Sequence, residues 1–323
     1  MKNRNLSDVF YLESDFIHLN ISELATSVLG ADEIIFRASA QTGYAVHGST
    51  SVSGGFINLI LENMLALVRE ESPSIEIHHE FVMIRDYQSY ARVRLHGSLI
   101  DDFNTFFEEK DVSSEVIKRP SQYLKVLLET YARLPFLERE RIVLKKHMDV
   151  IQNAIMKKKV LHLTYIQKRM TMEPLWIEAS KEGTYSYLVG TENGGMKILR
   201  ISRIETIRLG GSIKPIPESK LREYREKLTK YGPTFAEDEV VTVKVRLTDR
   251  GVESYRYSVL HRPVHSRIED GNIYVFECSE RQVQYFFFRF AGDAEIISPP
   301  SLRKKFLELY QQGSDVYSEL PKS

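Results

Sequence analysis

The chain has 323 residues, 42% hydrophobic and 11% aromatic, which is too long for one ordinary core and apolar enough to bury two or three. Its 44 Lys and Arg balance 44 Asp and Glu, so the global charge of a polyanion binder is excluded and any nucleic-acid site must be a local patch. One cysteine, Cys278, excludes an intrachain disulfide and a thiol-based zinc site; with a mixed polar start and no long apolar run, the expectation is a cytoplasmic protein with neither signal peptide nor membrane span.

From the N-terminus, Phe16-Ile17-His18-Leu19-Asn20-Ile21 alternates as a strand, with Ile17, Leu19 and Ile21 inward and Phe16, His18 and Asn20 outward. After a longer, less regular connection to residue 52, Ile57, Ile60, Leu61 and Met64 fall on one helical stripe. The pattern returns. Tyr90 to His96 alternates with Arg92, Arg94 and His96 outward, a helix through Leu99, Phe103 and Phe106 follows, and Leu124, Leu127, Leu128 and Tyr131 repeat the stripe. Ser53 and Ser121 are the expected caps of the matching helices. Strand, helix, helix, twice over residues 1–135, resembles the ribbon-helix-helix module. The resemblance implies an antiparallel ribbon whose outward Phe16, His18, Asn20, Arg92, Arg94 and His96 are candidate readers of duplex DNA, Arg pairing with guanine and Asn with adenine. Exposed Arg-x-Arg is more often a solvated face, and the neighbouring helices are acidic, so a dimerising or scaffolding role weighs more. His78-His79-Glu80 lacks a second ligand set at zinc spacing, so no metal site is expected.

Residues 136–150 read as a charged connector, its mixed-sign Glu138-Arg139-Glu140-Arg141 suiting an exposed helix. From 151 to 210 a lead helix with Ile151, Ala154 and Ile155 runs into short strands: Val160 to Tyr165, the Glu173-Pro174-Leu175 step, and Tyr185 to Val189. A turn at Asn193-Gly194-Gly195 precedes Lys197 to Ile204, read as one strand with Ile198, Arg200 and Ser202 on one face and Lys197, Leu199, Ile201 and Arg203 on the other. Between Lys197 and Arg208, Lys197, Arg200, Arg203 and Arg208 stand against one acid, Glu205, and arginine forks suit phosphate. In this order the segments resemble the WYL domain, with Ser186 in place of the naming Trp and the only tryptophan, Trp176, one strand earlier. The resemblance implies a small Sm-like or SH3-like barrel that binds nucleic acid or a nucleotide-like ligand. Its site would comprise Lys197, Arg200, Ser202, Arg203 and Arg208 against phosphate, with Tyr165, Trp176 and Tyr187 available to stack on bases.

Residues 211–238 read as a linker with a short mixed-charge helix, and 239–323 as a third domain in which Val241, Val243, Val245 and Leu247 begin an α+β layer. The segment Ala294 to Arg303 resembles the extension that commonly follows WYL domains, which implies that Arg303 faces a partner's barrel. The expected fold is thus multidomain α+β: a ribbon-helix-helix-like part, a small Sm/SH3-like β-barrel and an α+β C-terminal extension.

No Gly-rich nucleotide loop or nucleophile elbow is present, and Pro263 keeps His261 and His265 off one helical face, so neither catalysis nor a cofactor is expected. The reading is a non-enzymatic regulatory or accessory homodimer whose barrel holds single-stranded RNA or DNA, RNA favoured. It resembles the WYL accessory proteins of type VI CRISPR systems, which implies an RNA-guided RNase as partner. The alternatives are a ligand-sensing transcription regulator that reads duplex DNA through its ribbon, and an interaction scaffold.

Overall fold

β1 (Phe16–Ile21) and β2 (Ser89–Arg94) pair as a two-stranded antiparallel ribbon. The computed structural model describes residues 10–37, 39, 52–73, 75–84, 89–213 and 215–318, the side chains of 89–92 excepted. Ile17, Leu19, Ile21 and Val93 enter the core while Phe16 and His18 stay exposed, as period-two alternation requires. Each strand leads into two helices, α1 (Glu23–Phe36) and α2 (Gly54–Arg69) after β1, then α3 (Gly97–Glu109) and α4 (Pro120–Arg133) after β2. Ser22 and Ser53 cap α1 and α2, each hydroxyl accepting an N–H of the first turn. Ser121 is not a cap. It lies inside α4, whose start is closed by Gln122 accepting from the Lys118 and Arg119 N–H groups. The apolar stripes of α2 and α4 are buried together in one core. His78 lies just before a 3-10 turn, His79–Met83, and approaches Glu76 and Glu80. Among the described residues no group of three His, Cys, Asp or Glu is placed to hold a metal ion.

α5 (Phe136–Val143) and α6 (Lys145–Met156) then lead into five strands: β3 (Lys159–Tyr165), β4 (Lys168–Ala179), β5 (Ser186–Glu192), β6 (Gly195–Arg200) and β7 (Ile204–Ser212). The expected exposed connector is wrong in detail. Glu140 of α5 is fully buried, and Arg139 donates to Asp32 of α1 at 2.7 Å, because both side chains find distant partners that local charge alternation does not reveal. Strand order is β6-β5-β4-β3-β7, all antiparallel, and among the described residues no ladder joins β6 to β7, so the sheet is open rather than a closed barrel. The single strand expected over 197–204 is also broken. Ile201–Arg203 forms a 3-10 turn because Ile201 and Ile204, three residues apart, are both buried, a spacing no strand allows on one face. β4 serves both halves of the sheet. It pairs with β3 before Glu173 and with β5 from there on, shifting register between Pro174 and Trp176, where proline has no N–H to offer.

Opposite that step a Cβ on Gly190 would lie 2.2 Å from the Glu173 carbonyl oxygen and 2.7 Å from Met172 Cε. Gly190→Ala is therefore expected to destabilise this half of the sheet by about 1–3 kcal/mol, read as a lowered unfolding midpoint; an unchanged midpoint would mean the two strands part without cost.

The chain divides into two units, Gly183–Ile213 going with the residues up to Ala179, and Ser180–Glu182 with those from 214 on. In the second, α7 (Glu218–Tyr231) precedes β8 (Val241–Leu247), α8 (Asp249–Tyr257), β9 (His265–Glu269), β10 (Ile273–Cys278), α9 (Glu280–Phe287), β11 (Ala294–Ser298) and α10 (Pro300–Ser318). Its sheet runs β11-β8-β10-β9, with Val243, Val245 and Phe276 packed against Val283, Phe286 and Phe287. α9 stops at Phe287 and tightens into a 3-10 turn, Phe288–Asp293. Among the described residues no helix is long and apolar enough to cross a membrane.

Candidate nucleic-acid interface

Arg200 ends β6 opposite Tyr187. Its guanidinium carbon lies 3.1 Å from the centroid of the Tyr185 ring and its Nε donates to Ser202 Oγ at 2.7 Å, so the side chain is stacked on one face and tethered at its base. Ser202 is buried, and its carbonyl accepts from Ser39 Oγ. Tyr185 in turn meets Phe136 of α5 edge-on with centroids 5.3 Å apart. Beside this stack, the buried Glu140 accepts the Ser186 N–H at 2.5 Å through Oε2, while Oε1 has no hydrogen-bond partner. Burial pushes the Glu140 carboxyl up to about 6, opposed by the hydrogen bond from the Ser186 N–H and by the charge of Arg200.

The other predicted residues do not gather around this stack. Arg203 is exposed at the end of the turn, and Lys197 is half-buried on β6 opposite Gly190. Trp176 pairs with Val189, and Tyr165 pairs with Lys168 and Ile204, both side chains half-buried. Arg208 is exposed on β7 opposite His162 of β3, on a concave face of about 600 Å³ that also holds Arg169 of β4. Sequence reasoning did not select His162, Arg169, Tyr185 or Glu140 as site residues. The first two carried a usable signal, since His162 and Thr164, like Arg169 and Thr171, alternate with apolar residues that face the core.

On the ribbon, Phe16, His18 and Arg94 share the exposed face. Arg94 is engaged, donating to Asp15 at 2.9 Å with its guanidinium 5.5 Å from the Phe16 ring centre. Asn20 is half-buried and its Oδ1 has no hydrogen-bond partner, while the exposed His96 donates its backbone N–H to Asn58. The side chain of Arg92 lies outside the described residues; the register sets its backbone opposite His18. In the second unit Arg303 donates to Glu295 at 2.7 Å and to the Ile296 carbonyl.

Residues 146–209, from α6 to β7, match the WYL domain family model. The chain contains a WYL domain. The WYL domain therefore contains Tyr185, Arg200 and the β4-β3-β7 face, whereas Glu140 reaches it from α5, outside the matched segment. Sequence comparison with curated proteins finds no match. Among solved structures, a CRISPR Cas-related protein aligns over 98% of this chain and 96% of its own at 20% identity, with a TM-score of 0.73. Proteasome accessory factor B/C of Arthrobacter aurescens aligns over 72% of this chain and 37% of its own at 13% identity, with a TM-score of 0.28. The first of these extends the likeness of fold to the whole chain.

Proposed function

We propose that this is a non-enzymatic regulatory or accessory protein whose WYL domain binds single-stranded nucleic acid, RNA favoured, and thereby modulates a CRISPR RNA-targeting effector. The observation that carries the reading is the run from β6 into β7, where Arg200, Arg203 and Arg208 stand against one acid, Glu205, whose Oε1 accepts the Gln167 N–H at 2.8 Å. Such an excess of arginine forks suits the phosphates of a single strand, and Tyr185 and Tyr187 supply aromatic faces nearby. Full-length likeness of fold to a CRISPR Cas-related protein supports the choice of a CRISPR setting. Assembly as a homodimer belongs to the same reading.

A second reading is favoured by the ribbon. Strand, helix, helix, twice, with the two strands paired antiparallel, is similar to a ribbon-helix-helix module closed within one chain, so the protein would read duplex DNA there and sense a ligand in the WYL domain.

Fluorescence anisotropy with labelled single-stranded RNA, single-stranded DNA and duplex DNA across a salt series separates the two. Tightest binding to single-stranded RNA, unchanged by His18→Ala with Arg94→Ala, is the expected result. A duplex preference abolished by those ribbon substitutions would transfer the function to the second reading, and affinity for none of the three would remove both.

A further inference from the structure

The outer face of β4, β3 and β7 presents Arg169 and Thr171, His162 and Thr164, and Thr206 and Arg208. The register arranges them in two rows across the strands, Arg169-Thr164-Thr206 and Thr171-His162-Arg208. Among the described residues no acid lines this concavity. Leu161, Leu163 and Met172 point the other way into the core, so strand alternation commits the polar six to solvent. Their hydroxyls are ordered in pairs, Thr206 donating to Thr164 at 2.8 Å and Thr171 lying 2.9 Å from His162 Nδ1. Gly210 makes room for the imidazole, since a Cβ there would fall 2.6 Å from His162 Nε2.

We infer that this face, rather than the Arg200 turn, takes the phosphates of the bound single strand, with Arg169 and Arg208 gripping different phosphates and the threonine hydroxyls lying against the sugars. The inference rests on the proposed single-strand reading and names its site. Arg200 would have to leave the Tyr185 ring and Ser202 to reach a ligand, and its departure would strip the buried Glu140 of a nearby positive charge. Arg169 and Arg208 have nothing comparable to give up. Both are exposed, and among the described residues neither is in an ion pair. They sit two strands apart and one row apart, roughly 12 Å at ordinary sheet spacing, which suits separate groups of a polyanion better than one phosphate. With Arg169, Thr171, Thr206 and Arg208 all exposed, the face suits a passing strand rather than an enclosed metabolite. A hydroxyl-rich floor also gives the ribose 2′-OH donors and acceptors that deoxyribose cannot use.

The test compares two pairs of substitutions in the full chain, Arg169→Gln with Arg208→Gln and Arg200→Gln with Arg203→Gln, against labelled unstructured RNA and DNA of one sequence. All but Arg200 are exposed surface positions, and circular dichroism checks that the variants are folded. The expected result is that the first pair weakens RNA binding roughly tenfold or more and lowers the salt slope by about 1–2, while the second pair changes the affinity by less than the first; an equal loss in both pairs would overturn the contrast with the Arg200 turn. Thr164→Val with Thr206→Val should then narrow the preference for RNA over DNA. Wild-type affinity retained by the first pair and lost by the second would overturn the assignment while leaving the single-strand reading intact. If the wild type binds neither strand, the reading itself falls and this assignment with it.

Discussion

Glu129→Ala is expected to cost the first unit about 3–5 kcal/mol, the scale for removing one partner of a buried charged network. Glu129 lies on α4 and is wholly buried. One carboxylate oxygen accepts the Ser22 N–H at 2.6 Å, and the other accepts Ser22 Oγ at 2.8 Å and Arg133 Nη1 at 2.6 Å. Ser22 is the residue where β1 ends and α1 begins, so this carboxylate ties the ribbon to the helix layer. Alanine would leave two buried Ser22 donors unmatched and Arg133 without its counter-charge. Glu129→Gln keeps the shape but loses charge assistance, and should fall between alanine and wild type. Trp176, the only tryptophan, lies in this unit, so its fluorescence through a urea titration reports the loss. A cost below ~1 kcal/mol, the scale of an ordinary hydrogen bond, would show that water replaces the carboxylate.

Elements whose burial is decided by near neighbours were legible. The alternation of Ile17, Leu19 and Ile21, or of Val243, Val245 and Leu247, needs only one wet and one dry face, and both strands form as read. The order strand, helix, helix, twice, was visible for the same reason. Elements decided by remote partners were not. Arg139 and Glu140 look like surface charges until Asp32 and the Ser186 N–H, far away in sequence, meet them. The basic run from Lys197 to Ile204 reads as one strand if Arg200 is assumed to face water. It is a strand and a turn because Ile201 and Ile204 are both claimed by the core. A single strand there would single out Arg200 and leave Arg169 and His162 unmarked. His162 lies in no basic run and Arg169 stands only beside Lys168, and the cationic face appears only when β3, β4 and β7 are set in register. The WYL segment itself was recognisable from the order of its motifs, although the register shift after Pro174 and the open edge of the sheet were not.

Glu140→Gln should stabilise the protein relative to wild type by an amount that grows with pH. The folded-state pKa of Glu140 is raised from 4.5 to about 6, so the fold binds this proton more tightly than the unfolded chain does. Stability from the proton is fully present below about 4.5 and is lost as pH rises through about 6. At ~1.4 kcal/mol per pH unit, the swing approaches 2 kcal/mol. Glutamine imitates the protonated acid at every pH and can still accept the Ser186 N–H, so the difference between variant and wild type should be small near pH 4.5 and shift by about 2 kcal/mol in favour of glutamine by pH 7.5. Paired urea titrations at those two pH values, again followed through Trp176, measure it. A difference flat with pH would mean that Glu140 stays in one protonation state throughout. The opposite slope would mean that the attraction of Arg200 outweighs burial, and that the stack on Tyr185 is held by a permanent ion pair. The sign therefore decides how strongly Arg200 is restrained, on which the contrast between Arg200 and the free arginines of the β4-β3-β7 face depends.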